Sequence, residues 1–146
     1  MMRSAVAVWK GSPAIGEGLV TTTSGVMSNV LYSFGSSSGN EPCTSPSEML
    51  AASIASCTSL VLVQELAKDH IHHDSVRTEA ELTVNEVKGR WEITNIRLII
   101  TAVAPDADEA EFHKASRAAR QRCPISRALN VPIEVSTKLE TAEHVA

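Results

Sequence analysis

Hydrophobic and polar residues fall into different rhythms along this chain. From Ser75 to Val87 they alternate, with Val76, Thr78, Ala80, Leu82 and Val84 on one side and Arg77, Glu79, Glu81, Thr83 and Asn85 on the other. A period of two puts one face against a core and the other in water, which predicts a strand. Lys88-Gly89 is a two-residue hairpin turn. Arg90 to Val103 is the returning strand, carrying Trp91, Ile93, Ile96, Leu98 and Ile100. Its alternation slips near Asn95, as one extra residue in a bulge would make it. Thr44 to Lys68 behaves otherwise. Ser45, Pro46 and Glu48 form a helix-start signal. Met49, Leu50, Ala51, Ala52, Ile54, Ala55, Leu60, Val61, Leu62, Val63 and Leu66 then fall on every side of the predicted helix. A helix apolar all round is one that other elements pack around. At ~1.5 Å per residue it runs roughly 35 Å.

The flanking segments are shorter. Met1 to Trp9 reads as a first strand, Lys10 to Gly18 as a turn, and Leu19 to Thr23 and Val26 to Ser33 as two more strands. The simplest arrangement of the three is antiparallel. Phe34 to Cys43, rich in Ser and Gly, is a loop into the central helix, mobile by composition. Ala107 to Arg122 is predicted helical, with acids first (Asp108, Glu109, Glu111) and bases last (Lys114, Arg117, Arg120, Arg122), matching the helix dipole. Cys123-Pro124-Ile125-Ser126 starts another short helix, Ile133 to Leu139 is a last strand, and Glu140 to Ala146 a frayed tail. Strands, helix, strands, helix, strand define an α+β fold. The 146 residues suit a single domain spanning 1–146.

Composition narrows the function. The net charge is −4, with no basic patch interleaved with aromatics, so nucleic acid and anionic membrane surfaces are not expected partners. The unbroken apolar run Leu60 to Val63 is far too short to span a bilayer. Met1 to Lys10 carries no secretory pattern, which makes the cytoplasm the default address. Three cysteines, an odd number, argue against a disulfide framework and for thiol chemistry, a metal, or plain core cysteines. Cys57 sits mid-helix among Ile54, Leu60 and Val61, where a cysteine is ordinarily a small buried hydrophobe. Cys123 precedes a proline at a helix start, where free backbone N–H groups and the neighbouring Arg120 and Arg122 favour a thiolate. Cys43 lies in the Ser/Gly-rich loop and reads as incidental. His70, His72 and His73, with Asp69 and Asp74, lack an established zinc spacing and read as a solvated connection after the helix. No metal site is expected. The serines at 36–38 make no phosphate cradle, since no Gly-rich fingerprint with Lys follows a strand.

Thr44-Ser-Pro-Ser-Glu-Met-Leu-Ala-Ala-Ser-Ile-Ala-Ser-Cys57 resembles the first-cysteine motif of the OsmC/Ohr family (osmotically inducible protein C and organic hydroperoxide resistance protein). Arg122-Cys123-Pro124-Ile125-Ser126 with Leu129 resembles its second. The resemblance runs from about Trp9 to Leu139, takes in Gly25 and Trp91, and is closer to the OsmC branch. It implies antiparallel sheets wrapped around a long buried central helix in an intertwined homodimer. It also implies a thiol peroxidase for organic hydroperoxides, with Cys57 as peroxidatic thiol and Cys123 as resolving thiol. A lipoyl-type dithiol would be the reductant, and no metal, haem or flavin cofactor is needed. The embrace of two copies is expected to bring the sulfurs together. Two departures stand out. The family's Glu directly after the motif proline is Ser47 here, with Glu48 one residue later, where it serves as capping partner of Ser45. The family's Arg against the thiolate is missing from both Phe34–Asn40 and Lys10–Gly18, which leaves Arg122, then Arg3, to supply the charge. These departures keep rivals open: a divergent, non-peroxidase dimer that senses redox state or binds a small molecule, and a structural dimer with cysteines as core filler.

Overall fold

The computed structural model describes residues 1–35, 37–38 and 41–140, and the chain divides into two compact units, Met1–Leu50 and Ala51–Ala146. The first holds an antiparallel sheet in the order β1 (Ala5–Lys10), β2 (Glu17–Thr22), β3 (Val30–Tyr32), and a two-stranded piece, β4 (Ser37–Ser38) with β5 (Glu41–Pro42). The short hairpin replaces part of the expected loop, whose residues 36, 39 and 40 lie outside the described residues. Trp9 of β1 and Tyr32 of β3 pack as tilted rings with centroids 5.9 Å apart. Gly18 between them has no room for a side chain, since a Cβ would sit 2.7 Å from the Trp9 ring and 2.8 Å from Tyr32. Val20 is the buried apolar residue of this unit, and all six residues of β1 are exposed. Helix α1 (Pro46–Lys68) begins here with Ser45 as its cap: the Glu48 N–H donates to Ser45 Oγ at 3.1 Å.

The second unit is built on a three-stranded sheet, β6 (Ser75–Val87), β7 (Arg90–Val103) and β8 (Ile133–Glu140), in that order. The long hairpin has the predicted limits. Lys88 and Gly89, at φ 50° and 77°, supply the two left-handed residues of its tight turn. The expected bulge is present too: Thr83 pairs with Asn95 and Val84 with Ile93, which leaves Thr94 as the extra residue. β8 departs from the antiparallel expectation, because it runs parallel to β7. The reason is the connection between them, helices α2 (Glu109–Arg122) and α3 (Pro124–Ala128), which carry the chain back to the starting end of β7. The expected tail, 141–146, lies outside the described residues.

α1 meets the sheet along one stripe, Ile54, Thr58, Leu62 and Leu66, spaced four apart. Leu62 and Leu66 pack with Ile100, Ala102, Phe112, Ala115 and Ala119. Ile54 packs with Ile96 and Leu98, with Ile125 and Leu129 at the edge. The opposite side of the helix exposes Leu60 (68%) and Val63, with Ser56 and Gln64 alongside them. The short uninterrupted run in the sequence understated how apolar the helix is. With Ser, Thr and Cys counted in, an 18-residue window reaches a mean hydropathy of 1.5, and the helix is long and apolar enough to cross a membrane. Leu62→Ala is expected to lower unfolding free energy by about 2–5 kcal/mol in denaturant titration. A loss below about 1 kcal/mol would show that the stripe is not the core.

Candidate active site

Cys57 lies one residue before the buried Thr58 and three after Ile54, at the margin of the packed stripe, so its thiol is half-buried. Cys123 is fully buried. It stands where α2 gives way to α3. Its N–H closes α2 on the Ala119 carbonyl at 2.9 Å, and its own carbonyl accepts the first α3 bond from the Arg127 N–H at 3.1 Å. Pro124, at the first position of α3, has no N–H to continue α2 and holds Cys123 extended at φ −63°, ψ 116°.

Each thiol is among the groups that shift the other's pKa, so the two are neighbours within a single chain. The embrace of two copies expected from the sequence is therefore not what brings them together; the α2–α3 break and the packing of α1 do so. Burial pushes the Cys57 thiol up, and Cys123 beside it pushes the same way against a smaller opposing pull from the Ile125 N–H. At Cys123 burial also pushes up. There it is outweighed by the Cys57 thiol, by the N–H and hydroxyl of Ser126 and by the Ile125 N–H, so the net direction is down. The donors around Cys123 therefore favour charge on that sulfur. In the resting thiol form Cys123 makes no full cap hydrogen bond, and the Ser126 Oγ is likewise without a partner. A neutral thiol is a weak acceptor. A thiolate is a strong one, onto which these donors can close.

The expected supporting residues are placed elsewhere. Arg122 reaches out to Glu65, Nη1 to Oε1 at 2.8 Å, and is not among the leading influences on either thiol. Glu65 is held below its ordinary value by Lys68 first, against the opposing effect of burial, and then by Arg122. Only the Ser45 half of the expected capping box forms, the Glu48 N–H donating to Ser45 Oγ, while the Glu48 carboxylate accepts from the Thr44 hydroxyl at 3.1 Å instead of returning to Ser45. Cys43 lies against the Ser33 hydroxyl at 3.1 Å. His70 adopts φ 56° just past the end of α1, and His72 pairs with Asp74 at 3.3 Å. Among the described residues no group of three or more His, Cys, Asp or Glu could hold a metal ion. The residue that sequence reasoning passed over is Ser126. The available signal was its position three after Cys123, the place from which a helix supplies an N–H to its cap. In the first unit, separately, Trp9, Pro13, Tyr32, Ser33, Phe34 and Pro46 line an apolar groove of about 320 Å³.

These features define a class: an α+β protein with a half-buried and a fully buried thiol set side by side between a long apolar helix and a proline-broken helix pair. The model of the OsmC-like protein family matches residues 38–138, and the chain belongs to that family. It is 30% identical over 135 residues to the peroxiredoxin OsmC of Escherichia coli K12, covering 92% of this chain and 94% of that one. Among solved structures it is similar to an OsmC-like protein of Vibrio cholerae (TM-score 0.78, 19% identity, 94% of this chain and 99% of that one). It is also similar to the organic hydroperoxide resistance protein OhrB of Bacillus subtilis (TM-score 0.71, 21% identity, 94% and 98%). At those identities the two structures speak to the fold alone, and the fold is OsmC-like.

The opposed directions of the two thiols predict a split titration. In a Cys43→Ser background, thiolate absorbance at 240 nm should rise in two steps, one below and one above the ordinary thiol value, with the lower step absent from Cys123→Ser. A single step at the ordinary value would show that the sulfurs do not interact.

Proposed function

We propose that this protein is a thiol peroxidase that reduces organic hydroperoxides, with Cys57 as the peroxidatic and Cys123 as the resolving residue. The observation that carries the reading is a partly buried thiol neighbouring a buried one whose pKa is lowered. Peroxide reaches Cys57, the more accessible sulfur. Cys123 beside it, whose surroundings favour the thiolate, takes the Cys57 proton while the Cys57 sulfur attacks the O–O bond. Cys123 passes that proton to the departing alkoxide, so an alcohol leaves, Cys57 becomes a sulfenic acid and Cys123 is a thiolate again. Cys123 then attacks that sulfur, water leaves, and a Cys57–Cys123 disulfide forms. A lipoyl-type dithiol reduces it and becomes a disulfide in turn. The proton acceptor supplied by Cys123 offsets the missing Arg, because a buried Cys57 with no base beside it would stay protonated. The site belongs in a reducing compartment such as the cytoplasm.

The working form is a homodimer in which the two units make one OsmC-like domain across 1–146. Two observations support this. The 50-residue first unit has little core of its own, and sheets that small are marginal alone. The side of α1 that carries Leu60 and Val63 is exposed, a surface that a second copy of the same helix matches. A second reading keeps the dimer and the disulfide but assigns them to redox sensing. It is favoured by the lack of a cation among the groups that shift Cys57.

The wild type should consume tert-butyl hydroperoxide with dihydrolipoamide as reductant, and Cys57→Ser should lose at least about a hundredfold of that rate. Stoichiometric oxidation without turnover would move the assignment to the sensor. In analytical ultracentrifugation the wild type should sediment as a dimer and Leu60→Glu as a monomer. A monomeric wild type would contradict the assembly.

A further inference from the structure

The two sulfurs differ in access and in surroundings. Cys123 is fully buried and Cys57 only partly so. Cys123 has the Ser126 side chain as a neighbour, and Cys57 does not. Ser126 is itself 8% exposed, and its Oγ has no hydrogen-bond partner among the described residues. A buried hydroxyl left without a partner is a standing cost to the folded state. Its O–H can turn to the adjacent sulfur when that becomes charged.

We propose that Ser126 is a positioning residue for the reductive half of the cycle, holding Cys123 as the leaving group so that a dithiol attacks the Cys57 sulfur. This rests on the redox-pair reading above. The exchange balances as follows. One thiolate of the dithiol attacks the Cys57 sulfur of the disulfide. A bond forms between the reductant sulfur and Cys57, the Cys57–Cys123 bond breaks, and its electron pair leaves on Cys123. The Ser126 hydroxyl donates to that thiolate. The second thiolate of the dithiol attacks the reductant's own bound sulfur, closes the cyclic disulfide and releases Cys57, which takes a proton. Two electrons pass from the dithiol to the protein. Exchange runs faster when the departing thiol has a lower pKa, so stabilising charge on Cys123 speeds opening at Cys57. Burial of Cys123 blocks the opposite direction of attack.

The test uses the full chain in a Cys43→Ser background, oxidised with diamide, with the Cys57–Cys123 disulfide verified by peptide mass. Ser126→Ala should be reopened by dihydrolipoamide roughly tenfold more slowly than its parent, the effect of one lost hydrogen bond to a charged atom. Ser126→Thr, which keeps the hydroxyl, should recover most of the rate. Glutathione, a monothiol, should be trapped on Cys57. The thermal midpoint of reduced Ser126→Ala should be unchanged or higher, since the change removes a buried hydroxyl with no resting partner. Equal reopening rates for parent and Ser126→Ala, or glutathione trapped on Cys123, would overturn the proposal while leaving the redox pair intact. A lowered midpoint with an unchanged rate would make Ser126 merely structural and also overturn it. Absence of the disulfide after diamide would instead overturn the redox-pair reading, and the proposal with it.

Discussion

The rotation of α1 about its own axis is the constraint from which the rest of the site follows. Its side chains are apolar on every face, so hydrophobicity alone leaves that rotation open. The stripe Ile54, Thr58, Leu62 and Leu66 closes the question by packing against Ile96, Leu98, Ile100 and Ala102 of β7 and against α2. With the helix so turned, Cys57 falls at the margin of the packed face. Leu60, about 180° from the centre of the stripe, falls in the open. A helix rotated by about a quarter turn would either bury Cys57 beyond the reach of any substrate or move it away from Cys123.

Cys123 is fixed by a different device. Pro124 cannot continue α2, so the chain turns there. The residue before it takes an extended conformation and serves as C-cap of one helix and N-cap of the next. The pair that results is held by packing and by a backbone break rather than by a charged partner. That bears on its chemistry. Desolvation raises both thiols, and only the donors around Cys123 reverse the effect there. The asymmetry sets a partly buried sulfur beside a fully buried one whose surroundings favour charge.

Much of this was legible in the sequence because it is local. The limits of β6 and β7, the Lys88-Gly89 turn and the bulge beside Asn95 follow from a period of two and from turn chemistry. The cap of α1 follows from Ser45 and Glu48, and the two cysteine motifs are contiguous stretches. What the sequence left hidden is set by contacts between distant positions. The parallel pairing of β8 depends on which way the two-helix connection carries the chain. Arg122 looked available to a thiolate from its place beside Cys123, but Glu65, 57 residues earlier, takes its guanidinium. The one-sided burial of α1 was invisible because a near-uniform apolar pattern carries no direction. Ser126 lay in plain view within a motif, yet its meaning needed the burial of its hydroxyl.

The central claim is that Cys57 and Cys123 of one chain act as a redox pair. The most direct measurement is peptide mapping by mass spectrometry after reduced protein meets one equivalent of cumene hydroperoxide under denaturing quench. The account predicts loss of two hydrogens in a cross-linked peptide that joins Cys57 to Cys123 of the same chain, with Cys43 still a thiol. Oxidation that stops at added oxygens on Cys57, with Cys123 still alkylatable, would contradict it.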